Sequence, residues 1–196
     1  MIADCTALIL AGGESRRMGR DKARVELHGQ ALLDHVIASL QPLFCETLVS
    51  VRTPRPEIAL PQVVDDAAYA GPLAGLQAGL ARMRTPWLFV AACDMPFITP
   101  ALVRQLADLR RADVQAVIPC VQGELQPLAG FYAASVQVPL AALLAGSGRH
   151  SLRALLERIS VRRVEETLLR RHDATLATFF DLDTPADLAR ARTLTR

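Results

Sequence analysis

Short β-rich runs, several of them apolar at successive positions, alternate along this chain with longer amphipathic stretches. The runs are CTALIL (5–10), TLVSV (47–51), QVVDD (62–66), LFVAAC (88–93) and AVIPCV (116–121). A strand wetted on one face alternates apolar and polar residues, whereas a run apolar at successive positions needs cover on both faces. Between the runs, helical spacing is expected over about 30–40, 73–83, 100–111, 136–145, 151–159 and 185–195. The alternation implies an α/β fold with a mostly parallel central sheet and right-handed crossovers. Two of the helices carry start signals: Thr99 can cap a helix whose first turn holds Pro100, and Thr184, Pro185 and Asp187 repeat the pattern. Pro54, Pro56 and Pro61 make 52–61 a loop.

A chain of 196 residues buries most of its apolar surface in one core, so a single domain over 1–196 is expected. Composition narrows the function classes. The 22 basic and 20 acidic residues leave a net charge of +2, and aromatics make up 5%. Neither a strong field nor an aromatic stacking platform points to nucleic acid. No run approaches the ~20 apolar residues of a membrane span. The first residues lack the basic, apolar and small-residue order of an export signal, so a cytoplasmic location is expected. Cys5, Cys45, Cys93 and Cys120 are too far apart for C-x-x-C chemistry and read as reduced thiols, favouring burial.

In open α/β sheets, ligands gather beyond the carboxyl ends of the strands. The loops expected there carry complementary chemistry. AGGESRRMGRDK offers Gly12 and Gly13, which allow close backbone approach, and the cations Arg16, Arg17 and Lys22, suited to phosphate oxygens. The loop matches neither G-x-x-x-x-G-K-[ST] nor G-x-G-x-x-G, which disfavours a P-loop NTPase and a dinucleotide dehydrogenase. Asp94 follows LFVAAC and is a candidate for Mg²⁺, which takes one or two carboxylates and substrate phosphates; the plainer reading is a turn-forming aspartate. Asp65 and Asp66 offer a carboxylate for a guanine edge or a ribose, or are simple loop acids. In GPLAGLQAGL, Gly71, Gly75 and Gly79 recur at four-residue spacing, either for close packing or to clear room for a ligand.

LAGGESRRMGRDK, VVDDAAYAGPLAGL, FVAACDMPF and DLDTPADL together resemble, in order and spacing, the MobA-type molybdenum-cofactor guanylyltransferases. The resemblance runs from Leu10 to about Leu188. It implies a three-layer Rossmann-like nucleotidyltransferase fold and transfer of GMP from GTP to molybdopterin, with Mg²⁺ as cofactor and pyrophosphate released. By the same resemblance, Leu10, Ala11, Gly12 and Gly13 would meet the guanine nucleotide, joined by Gly71, with Lys22 and Arg17 on its phosphates. Ser50 would approach the base or ribose, Asp66 the base, and Asp94 would hold magnesium. Asp183 is a second candidate for the metal, or only leads into a helix whose dipole favours acids. Arg149 and Asp181 are candidates for the acceptor, with His150 beside them. The LAGG form and GPLAG look like the guanine-using branch. Ser50 stands where the family often has asparagine, Gln126 where a histidine before proline is frequent, and Asp181 and Asp183 where asparagines are common.

The expected mechanism is in-line attack of the acceptor phosphate on the α-phosphorus of GTP without a protein nucleophile. Its rivals are a nucleotidyltransferase using CTP or a sugar phosphate and a GTP-binding module without catalysis. Transient contact with cofactor-delivery or molybdoenzyme-maturation proteins fits the same resemblance.

Overall fold

In chain order, the computed structural model has β1 (Ile2–Leu10), the hairpin β2 (Glu26–Leu27) and β3 (Gln30–Ala31), α1 (Leu32–Leu40), β4 (Phe44–Val51) and β5 (Gln62–Val64). There follow α2 (Pro72–Arg82), β6 (Trp87–Ala92), α3 (Pro100–Asp108), β7 (Ala116–Val121), β8 (Glu124–Leu125) and β9 (Ala129–Ala133). The chain closes with α4 (Gln137–Ala145), α5 (Leu152–Leu156), β10 (Val161–Val164), α6 (Glu166–Leu169) and α7 (Pro185–Ala191). The structure describes residues 1–12, 22–66, 68–69, 71–148, 150–182 and 184–194, with Lys22 described by its backbone only.

Among the described residues, eight strands form one sheet in the order β10-β7-β9-β6-β1-β4-β5, with β8 paired to β7. The pairs β1–β4, β1–β6, β4–β5 and β10–β7 are parallel, while β9 runs antiparallel between β6 and β7. The mostly parallel sheet agrees with the sequence expectation. β9 was not legible: AGFYA is short and holds Gly130, where a Cβ would lie 2.5 Å from Ile118 Cδ1. That glycine lets the Ile118 side chain lie over the β9 backbone.

Side-chain alternation along β1 shows why the runs are apolar throughout. Ala7 and Ile9 face a cluster with Val36 and Leu40 of α1 and Leu102, Val103 and Leu106 of α3. Leu8 faces the opposite cluster, with Leu73, Leu76 and Leu80 of α2 and Leu140 and Leu143 of α4. Each fully buried leucine contributes about 1.5–3 kcal/mol of apolar transfer, so both helical layers are held by the same few strands. Gly79 belongs to this packing, because a Cβ there would lie 2.5 Å from Leu8 Cδ2.

The helix starts divide. Thr184 and Asp187 form a full capping box at α7, with Asp187 N–H donating to Thr184 Oγ1 at 3.2 Å and Thr184 N–H donating to Asp187 Oδ2 at 2.9 Å. Thr99 occupies the cap position of α3, but its hydroxyl is buried without a cap bond. The Thr99 backbone N–H instead ties α3 to the segment 177–179, donating to Thr178 Oγ1 at 3.3 Å. His35 of α1 is buried, with Nε2 2.8 Å from the Leu27 carbonyl oxygen. Cys5, Cys93 and Cys120 are buried and Cys45 is exposed, none of them in a disulfide.

Candidate active site

The carboxyl ends of β4, β1 and β6 lie side by side. In the parallel register Leu10 pairs with Ser50 on one side and with Ala92 on the other. The ladder continues beyond the strands, with Ala11 N–H donating to the Ser50 carbonyl at 2.9 Å and Cys93 N–H to the Leu10 carbonyl at 3.1 Å. Adjacent strands are about 4.8 Å apart. Ala11–Gly12, Ser50 and Cys93–Asp94 therefore leave the sheet on neighbouring strands of one rim, as the strand-end rule requires.

Asp65 joins them from the end of β5, where its N–H donates to the Val51 carbonyl at 2.9 Å. Its carboxylate accepts from the hydroxyl of buried Ser50, and a Cβ on Gly12 would strike Asp65 Oδ2. Half-burial pushes the Asp65 carboxyl above its ordinary value, opposed by the Ser50 hydrogen bond and the Arg52 charge. Ser50 is fixed from the far side by α2: a Cβ on Gly75 would lie 2.5 Å from Ser50 Oγ and 2.6 Å from Leu10 Cδ2. Gly71 does something else. It sits ahead of Pro72 with φ 76° and ψ −160°, a backbone that only glycine adopts readily, and a Cβ there would meet nothing.

Asp66, the residue favoured for the base from sequence, is exposed and accepts from Ala68 N–H at 2.9 Å through Oδ1. Asp65 is the acid that faces the glycine. A periodic signal was present: Val63 is buried, Val64 exposed, Asp65 half-buried and Asp66 exposed, so the two-residue alternation of β5 carries on past its end.

Asp94 is half-buried at the end of β6, and its carbonyl accepts from Leu182 N–H at 3.3 Å. This bond draws the segment around Asp181 to the same rim. The segment is set by a buried carboxylate outside the sequence candidates. Asp173 Oδ1 accepts from Ala177 N–H at 3.0 Å, and its Oδ2 accepts from Thr178 N–H at 2.8 Å. Asp173 carried no motif, and its value comes from the turn it closes. On the other face, the Tyr69 and His150 rings meet edge-on with centroids 6.4 Å apart, bringing the loop around position 150 to the approach of α2. Gly13, Arg16, Arg17, Arg149, Asp183 and the Lys22 side chain lie outside the described residues.

Among the described residues, no group of three or more His, Cys, Asp or Glu side chains stands ready to hold a metal ion. A carboxylate such as that of Asp94 on an open rim fits Mg²⁺, which keeps several waters and shares substrate phosphates, better than a metal that needs an all-protein cage.

A pocket of about 390 Å³ opens over Ala11 and Gly12, walled by Arg24, Arg52, Arg55 and Glu57. Arg24 Nη2 lies 2.5 Å and Arg55 Nε 3.3 Å from Glu57 Oε1. Glu57, with a backbone hydrogen bond and then Arg24 as the main causes, is pulled down to about 2. It therefore stays ionised and braces two of the guanidinium groups. Sequence reading took 52–61 only as a proline loop.

Comparison with known proteins assigns the chain to a family. Residues 7–166 match the MobA-like NTP transferase domain. A protein of Chloroflexus aggregans named "Probable molybdenum cofactor guanylyltransferase" is 36% identical, over 93% of this chain and 91% of its own. One of Pelotomaculum thermopropionicum with the same name is 33% identical, over 96% and 92%. The crystal structure of molybdopterin-guanine dinucleotide biosynthesis protein A from Archaeoglobus fulgidus superposes with a TM-score of 0.85 at 29% identity, covering 95% of this chain and 96% of that one. This chain belongs to the family of MobA-like NTP transferases.

Proposed function

We propose that this protein transfers the GMP group of GTP to molybdopterin, forming the guanine dinucleotide cofactor and releasing pyrophosphate. The observation that carries the reading is the register of β1, which pairs Leu10 with Ala92 and so brings Ala11–Gly12 and Asp94 out at the carboxyl ends of adjacent strands. The names of the relatives supply the reaction.

In this reading the nucleoside of GTP lies over Leu10, Ala11 and Gly12, continued by Gly13 and bounded by Ser50, Asp66 and Gly71. Lys22 and Arg17 neutralise charge on the pyrophosphate as it leaves. Arg149 and Asp181 would bind the acceptor. The acceptor phosphate is already anionic at neutral pH, so no residue need remove a proton or form a covalent intermediate. Catalysis then consists of holding two anions in line and offsetting their charge. Asp94, with Asp183, would hold Mg²⁺, which supplies charge neutralisation across the nucleotide phosphates when bound. The work fits a cytoplasmic enzyme that meets cofactor-delivery or molybdoenzyme-maturation proteins transiently. Among the described residues no helix is long and apolar enough to cross a membrane.

The test is incubation with GTP, Mg²⁺ and molybdopterin followed by mass analysis, with CTP in a parallel reaction. The guanine dinucleotide should form and the cytosine dinucleotide should not. GTP binding without any dinucleotide would instead assign a non-catalytic binding module.

A further inference from the structure

Asp94 sits on a loop, 93–99, between the end of β6 at Ala92 and the start of α3 at Pro100. Whatever sets the course of this loop sets the position of the acid. Its own backbone closes two turns, with Met95 N–H donating to the Ala92 carbonyl at 3.4 Å and Ile98 N–H to the Met95 carbonyl at 3.2 Å. The segment 176–182 grips it at three further places. Leu182 N–H donates to the Asp94 carbonyl at 3.3 Å. The buried Thr178 hydroxyl donates to the Phe97 carbonyl at 3.5 Å and accepts from Thr99 N–H at 3.3 Å. Side chains follow the same line: the Phe97 and Phe180 rings meet edge-on with centroids 6.2 Å apart, and Phe179 packs against Met95.

The gripping segment is itself held by a buried carboxylate. Asp173 accepts from the N–H groups of Ala177 and Thr178, and its own N–H donates to the carbonyl of buried Leu169 at 3.0 Å, which hangs the turn from the core. Leu176, inside the turn, holds a left-handed backbone at φ 57° and ψ 30°, and its N–H donates to the Asp173 carbonyl at 3.0 Å. A leucine keeps that conformation only where its surroundings impose it, and such backbone collects at functional sites. Asp173 thus aims the Thr178 hydroxyl, and the hydroxyl joins Phe97 to Thr99 across the loop that carries Asp94.

We propose that Asp173 and Thr178 are positioning residues for the transfer reaction, clamping the 93–99 loop so that the Asp94 carboxylate is held still on the rim beside the strand that ends in Ala11 and Gly12. Asp181 lies between Phe180 and Leu182, so the same clamp makes it and Asp94 parts of one body. Neither positioning residue touches a substrate. Misplacing a reacting group by about 1 Å costs on the order of 100-fold in rate, which gives the clamp its value. The inference rests on the transfer reaction proposed above and adds what fixes its acid.

The test uses the full chain and three variants. Thr178→Val removes both hydroxyl bonds but keeps the backbone N–H that Asp173 accepts, Thr178→Ser keeps the hydroxyl, and Asp173→Asn sets an amide N–H2 where one of two backbone donors points. Each is assayed well below its own Tm for pyrophosphate release with GTP and molybdopterin, for calorimetric GTP affinity, and for hydrogen exchange at the Thr99 and Leu182 amides. Thr178→Val should lower kcat by about tenfold to 100-fold, with GTP affinity within about twofold of wild type. Exchange at Thr99 and Leu182 should quicken in the same variant, Thr178→Ser should restore both readouts, and Asp173→Asn should share the loss. A Thr178→Val variant that cannot be kept folded leaves the comparison to Asp173→Asn and Thr178→Ser, whose kcat values should then separate in the same direction. A kcat that stays within about twofold of wild type while exchange quickens would overturn the proposal, because the clamp would then serve stability alone. Equal losses in Thr178→Val and Thr178→Ser would overturn it as well, since the hydroxyl would not be the junction; in both cases the transfer reading stands. If wild type makes no dinucleotide, the transfer reading fails and takes this assignment with it.

Discussion

The carboxylate of Asp65 occupies the space that a side chain at residue 12 would need. Glycine is required at position 12 because of another residue of the protein, in addition to any close approach by a nucleotide. Gly12→Ala should therefore displace the strand-end loop, costing about 1–3 kcal/mol in the manner of an overpacked core position. Combining it with Asp65→Ala should recover much of that loss, since residues in contact couple by about 0.5–3 kcal/mol. Urea unfolding of the four proteins of the cycle checks this. Additive effects would mean that the two residues do not meet.

Asp65 also gives a pH dependence with a definite sign. Its carboxyl is raised above the ordinary 3.8 mainly by burial. The folded state therefore binds the proton more tightly than the unfolded chain, and stability falls as pH rises from the ordinary carboxylate range through the elevated value. Asp65→Asn removes that effect. Its Tm relative to wild type should rise from acid to neutral pH, and a difference that is flat or falls with pH would contradict the assignment.

The glycines of GPLAGLQAGL separate into two kinds. Gly75→Ala would drive a Cβ into Ser50 Oγ and Leu10 Cδ2, and should destabilise by about 1–3 kcal/mol while disturbing the Ser50–Asp65 pair. Gly71→Ala meets no atoms but must hold φ 76°, costing about 1–3 kcal/mol through the backbone alone. The discriminating measurement is a second substitution: Ser50→Ala should relieve Gly75→Ala and leave Gly71→Ala unchanged.

Asp173 is buried and accepts from the N–H groups of Ala177 and Thr178. Asp173→Ala should cost about 1–3 kcal/mol by leaving buried donors unpaired. Hydrogen exchange should quicken first at Ala177, Thr178 and Leu182, whose amide reaches Asp94. Uniform quickening across the sheet would show a general loss of stability instead.

The architecture was legible wherever apolar runs need cover on both faces, as in β1, β4, β6 and β7, each of which lies where its run was read. Candidate positions on the rim were legible for the same reason, because strand ends follow from strands. β9 was hidden because a five-residue run with a glycine at its second position and no β-branched residue carries little to mark it. The choice between Asp65 and Asp66 depended on which way β5 alternates, a fact carried by Val63 and Val64. The bracing of Arg24 and Arg55 by Glu57, and the action of Asp173 through Thr178 on Thr99, join residues distant in sequence or shape a turn. Such pairings leave no period or motif to read.

The most direct test of the central claim compares Asp94→Ala with wild type in two measurements on the same preparations: GTP affinity by calorimetry and turnover by pyrophosphate release with molybdopterin. If Asp94 acts on the transferring phosphate beside Gly12, turnover should fall by about 100-fold or more while GTP affinity changes only a few-fold. Turnover that stays at the wild-type level would contradict the account, because the rim built by Leu10, Ser50 and Ala92 would then hold its acid for some other purpose.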